Sequence, residues 1–116
     1  MELVWFKCKG RVWCELNKVD ADHPNLEGVK GVYIIWRGEK EHSVLRINHG
    51  TIVKEIMKNK KDHAIIAFSR FGVYVTWAAV PEEYIKNVHS YLDKILNPII
   101  KDEAPNSMPL EVNLPW

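Results

Sequence analysis

The period of apolar and polar positions changes several times along this chain. Val32, Tyr33, Ile34, Ile35 and Trp36 form an unbroken β-branched and aromatic run between Gly31 and Gly38. Such a run reads as a core strand. Ser43 to Asn48 reads as the next strand, and the charged stretch Arg37 to His42 as a solvated turn between them. Ala64 to Phe68, just behind His63, is expected to be a third core strand, and Gly72 to Val80 continues the sheet. Residues 3–7 and 11–16 are rich in Val, Trp, Phe and Cys. They flank Cys8-Lys9-Gly10, which suggests an N-terminal hairpin. Residues 17–30 are polar and read as a loop, with at most one helical turn.

Two segments switch to helical spacing. From Ile52 to Asn59, the residues Ile52, Val53, Ile56 and Met57 make one apolar stripe, and Lys54, Glu55 and Lys58 face away from it. Thr51 is placed to cap this helix through its hydroxyl. The second helix follows Val80, with Pro81 suited to a first turn and Glu82 and Glu83 complementing the positive end. Tyr84, Ile85, Val88, Tyr91, Leu92, Ile95 and Leu96 share one face, and Asn97-Pro98 ends the element. The tail from Pro98 holds four of the six prolines, so it is no long helix. Its apolar residues Ile99, Ile100, Leu110, Val112, Leu114 and Trp116 predict an extended segment docked on the body.

The fold class that results is α/β (α+β), a mainly antiparallel sheet flanked by two helices. At 116 residues the chain is read as a single domain, 1–116. A net charge of +1 excludes a strongly basic, histone-like binder but leaves room for a local basic patch. No apolar run approaches the length of a membrane span, and the N-terminus lacks the apolar stretch of a signal peptide. The expected location is the cytoplasm, with no membrane contact. In that reducing setting Cys8 and Cys14 are expected as free thiols, although five intervening residues would allow a bridge.

The order strand, turn, strand, helix, strand, helix over about residues 31–98 resembles the GIY-YIG nuclease domain. Gly31-Val32-Tyr33 matches the opening Gly-Ile/Val-Tyr motif. "LRINHGTIVKEI" occupies the place of the second motif and its helix, and "EEYIKNVHSYLDKILNP" has the length and pattern of the later helix. In this core the N-terminal hairpin (within 1–30) and the tail (99–116) look like additions. The resemblance implies phosphodiester hydrolysis: a tyrosine assists deprotonation of water, an arginine steadies the phosphate, and a glutamate holds one divalent metal. Only the first tyrosine carries over, onto Tyr33. The second falls at Leu45 or Arg46, the motif's glycine at Ile47 or Asn48, the helical arginine near Glu55, and the glutamate at His89. A hard divalent cation prefers oxygen to the imidazole that His89 offers.

Those replacements point to a catalytically degenerate module that binds DNA, RNA or a protein partner. A divergent phosphodiesterase using Tyr33, Arg46 and His89 is the alternative, and a structural homo-oligomeric domain is a third reading. The nucleic-acid contacts expected are His49, Lys54, Lys58, Lys60, Lys61 and Arg70. His49-Gly50-Thr51, ahead of the first helix, could receive an anion on backbone N–H groups. No cofactor is expected and no metal ligand is assigned; a divalent metal belongs only to the phosphodiesterase reading.

Overall fold

A computed structural model describes residues 1–38 and 43–116. Its four strands are β1 (Cys14–Glu15), β2 (Lys30–Arg37), β3 (Ser43–Thr51) and β4 (Val73–Ala79). They form one antiparallel sheet in the order β1-β4-β2-β3. Three α-helices accompany it: α1 (Ile52–Lys60), α2 (His63–Ile66) and α3 (Ile85–Leu96). β2 is a central strand with helices over both faces, which is why its sequence is apolar without alternation. Tyr33 and Ile35 face α1 in one core with Ile52, Ile56, Val75 and Trp77. Val32, Ile34 and Trp36 face α3 in the other core, with Val88, Leu92 and Val80. Gly31 is required by crowding in this layer: a Cβ there would lie 1.9 Å from the Ala78 carbonyl oxygen.

β3 carries an irregularity that decides what each face receives. Ile35 pairs with Arg46 and Trp36 with Val44, so Leu45 is an extra residue, a β-bulge. Beyond the bulge the phase changes. Arg46 and Asn48 lie across from Ile35 and Tyr33, on the α1 face, while His49 lies across from Val32, on the α3 face. β3 is an edge strand, and the tail covers part of its free side. The Ile99 and Ile100 amides donate to the Val44 and Leu45 carbonyls at 3.0 and 2.8 Å.

The docked tail matches expectation. Val112 is buried, Leu110 and Leu114 pack on the α3-side core, and Ser90 donates to the Pro105 carbonyl. α3 ends at Asn97 in the left-handed conformation, followed by Pro98, as its sequence predicts. Trp116 rests against Trp36, with ring centroids 5.0 Å apart.

Four expectations are corrected. Ala64 to Phe68 is not a strand. Residues 63–66 form the short helix α2, followed by a 3-10 turn over Ser69–Phe71. Asp62 accepts from the Ala64 amide at its start, and only Ile65 of α2 is buried. A five-residue apolar run is too short for its period to separate helix from strand. The N-terminal hairpin is reduced to Cys14–Glu15 beside β4, while Phe6 bonds the backbone of Trp77 without forming a strand. Cys8 and Cys14 are joined in a disulfide rather than free. Thr51 holds the N-cap position of α1 but makes no side-chain cap bond. The turn expected over 37–42 lies, from residue 39 on, outside the described residues. Among the described residues no helix is long and apolar enough to cross a membrane.

Candidate functional site

The polar residues sort into two clusters, one on each face of the sheet. The first is built by β2, β3, α1 and the tail. Tyr33 is 1% exposed. Its hydroxyl donates to Glu55 Oε1 at 3.0 Å and accepts from Asn59 Nδ2 at 3.0 Å. Burial and the Glu55 carboxylate push ionisation of Tyr33 well above the ordinary tyrosine value. A phenol so placed is a fixed donor and a poor base.

Arg46 is the centre of this cluster. Its Nη1 donates to Asn59 Oδ1 at 2.7 Å and to Asp62 Oδ2 at 3.1 Å. Its Nε lies 2.8 Å from Asp102 Oδ2, and Nη2 reaches Asp102 Oδ1 at 3.4 Å. Asn48 donates to the same Asp102. Burial alone would disfavour the Arg46 cation, but the Asp62 hydrogen bond and the charges of Asp102 and Asp62 outweigh it and raise its pKa. Desolvation pulls Asp62 upward. The Arg46 hydrogen bond and the Ala64 amide overcome that and hold it below the usual carboxylate value. The neighbouring cavity, about 200 Å³, is lined by Tyr33, Arg46, Asn48, Lys58 and the two aspartates. An arginine inside an apolar strand signals a partner for its charge, and the partner is intramolecular carboxylate. Asp62 and Asp102 carry no such signal in the sequence, because one is a helix cap and the other sits in an irregular tail.

The second cluster lies on the α3 face. His49 Nδ1 is 2.7 Å from His89 Nδ1. His89 is 1% exposed, and His49 lines a cleft of about 500 Å³ together with Lys30, Thr51, Glu82, Lys86 and Asn87. Burial and the neighbouring His49 hold His89 down at about 4, against the opposing charges of Asp93 and Asp102. Burial also lowers His49, with Glu55 opposing the shift and Lys86 adding to it. Both rings are therefore neutral near pH 7.

The catalytic trio read from the sequence is divided. Tyr33 and Arg46 share the α1 face, and His89 lies under the other one. Lys54, Lys58 and Lys61 are exposed, and Lys60 is half-buried at the end of α1. Arg70 follows α2, its guanidinium 4.8 Å from the ring centroid of Phe71, and Arg37 approaches the same ring at 5.0 Å. Phe71 is 45% exposed. No group of three or more His, Cys, Asp or Glu suited to a metal ion occurs among the described residues. In comparison with known proteins, no family model matches the chain, and neither a curated protein nor a solved structure does.

Proposed function

We propose that this chain is a nucleic-acid-binding module on a GIY-YIG-like scaffold, without the cleavage chemistry of that family. The observation that carries this reading is the lysine stripe of α1. Lys54, Lys58 and, at the C-cap just past the helix, Lys61 are exposed at spacings of four and three residues, within an arc of about 60°. The nearby carboxylates Asp62 and Asp102 are paired with Arg46, whose single charge offsets one of their two. Arg37 and Arg70 over the exposed Phe71 ring form a separate basic group with an aromatic beside it.

Binding is favoured over hydrolysis because Arg46 already holds two carboxylates, and Tyr33 is bonded to Glu55 and Asn59. The test is fluorescence anisotropy with labelled single- and double-stranded DNA and RNA at low and moderate salt. Salt-dependent binding to at least one of them is expected, with no cleavage when Mg²⁺ or Mn²⁺ is added. Absence of salt-dependent binding to all four would sink the proposal and turn attention to a protein partner. Cleavage lost in His89→Ala would favour the phosphodiesterase instead.

A further inference from the structure

The cleft on the α3 face is not used by the reading above. It is the larger of the two described beside the polar clusters, and it has a histidine pair in its wall. His89 is buried behind His49, and the contact between their Nδ1 atoms fixes the His49 ring. With Nδ1 engaged, Nε2 is the nitrogen His49 has left for a ligand. Two neutral rings joined through Nδ1 share one proton between those atoms. If His49 supplies it, His49 Nε2 is a lone pair and accepts. If His89 supplies it, His49 Nε2 carries hydrogen and donates. The pair can thus meet a ligand that offers both a proton and an oxygen acceptor.

The charges at the rim narrow the ligand. Lys30 and Glu82 face each other at 3.9 Å, and Glu83 lines the same cleft, so the rim carries two lysines and two glutamates. Lys86 lines the same cleft and acts on His49, and among the described residues no carboxylate lies within ion-pair distance of it. Thr51, Asn87 and Ser107 add neutral hydrogen-bonding groups. The Thr51 hydroxyl is not engaged in capping α1.

We propose that this cleft binds a small phosphate group that retains a titratable proton, either free phosphate or a phosphomonoester. Lys86 faces its charge and His49 Nε2 shares its proton, with His89 as the positioning residue. The phosphate monoanion donates its proton in a hydrogen bond to the lone pair of neutral His49 Nε2, and its remaining oxygens accept from the cleft's donors. The groups facing the pair are Glu55 from α1, Lys86 and Asp93 from α3, and Asp102 from the tail, with Lys30 from β2 and Glu82 and Glu83 ahead of α3 lining the same cleft.

The experiment is a titration of the ¹⁵N-histidine-labelled protein with inorganic phosphate, and separately with sulfate, at pH 6.8 and matched ionic strength. Long-range ¹H–¹⁵N spectra read each ring nitrogen. In the free protein one of the two histidines should carry hydrogen on Nδ1 and the other should not. Phosphate should move His49 Nε2 saturably, and sulfate, which has no proton to share, should do so only weakly. Lys86→Gln should weaken phosphate binding by about tenfold. His89→Asn keeps a hydrogen-bonding group near the Nδ1 position and should retain the response, whereas His89→Leu should lose it. Adding glucose 6-phosphate and its methyl phosphodiester analogue separates the sources: a monoester that binds more tightly than free phosphate marks a phosphomonoester site. No saturable phosphate shift, an equal response to sulfate, or unchanged binding in Lys86→Gln would overturn the proposal. None of these residues belongs to the α1 stripe, so either binding reading can fail without the other.

Discussion

Replacing Arg46 with methionine isolates the most heavily bonded polar side chain among the described residues. The substitution keeps an apolar stem of similar length but removes a cation held by Asn59, Asp62 and Asp102. Breaking a buried ion pair by removing one partner costs about 3–5 kcal/mol, because the other charge stays buried. Here the Asp62 and Asp102 side chains keep 27% and 30% of their exposure and can partly rehydrate. The expected loss is therefore lower, about 2–3 kcal/mol. With a urea m-value of about 1.5 kcal/mol/M, the midpoint should fall by about 1.5 M at pH 7.

The same variant carries an acid signature. Asp62 is held below its ordinary value of 3.8 in the folded protein, so its stabilisation is present above that pH and is lost as pH falls through the folded value. The deficit of Arg46→Met should then narrow below pH 3.8. Asp62→Asn and Asp102→Asn complete double-mutant cycles with Arg46, and coupling should appear in both. A loss below about 0.5 kcal/mol with additive cycles would mean that Arg46 behaves as an exposed ion pair, and the reasoning would fail.

Three other perturbations probe separate parts of the fold. His89 titrates near 4 when folded against 6.5 when unfolded, so the unfolded chain takes the proton first. The stability it contributes is full above pH 6.5 and is lost as pH falls to about 4, on the order of 3 kcal/mol; urea midpoints across that window should fall less in His89→Leu than in the native protein. Gly31→Ala drives a methyl into the Ala78 carbonyl and should cost about 3 kcal/mol or abolish folding, read by circular dichroism and thermal melting. Reduction of the Cys8–Cys14 bridge, or Cys14→Ser, opens a short loop of sequence separation six and should cost about 2 kcal/mol in urea melts.

Much of the architecture is legible in the sequence where packing and local pattern agree. β2 reads as a strand because both its faces are buried, and α3 because its apolar face, proline start and Asn97-Pro98 end coincide. The docked tail follows from apolar residues that have no other place to be buried. Residues 64–68 read as a strand because Ala-Ile-Ile-Ala-Phe suits either period, and the deciding contact is the Asp62 cap. The site was less legible for a topological reason. The bulge at Leu45 turns Arg46 and Asn48 toward α1 and His49 toward α3. One residue of phase therefore separates Tyr33 and Arg46 from the histidines, and no local pattern announces it. Asp102 completes the Arg46 cluster only because the tail runs beside the β3 edge.

The dependence of nucleic-acid affinity on salt tests the α1 stripe itself. Three lysines against duplex phosphates should give a slope of log K against log salt near −2.7, or about a 40-fold loss of affinity between 50 and 200 mM. Anisotropy titrations of the native protein should show that slope, and the combined Lys54→Gln, Lys58→Gln, Lys61→Gln variant should lose most of it while melting as the native protein does. A variant that binds with the native affinity and the native slope would contradict the assignment of nucleic-acid binding to this face.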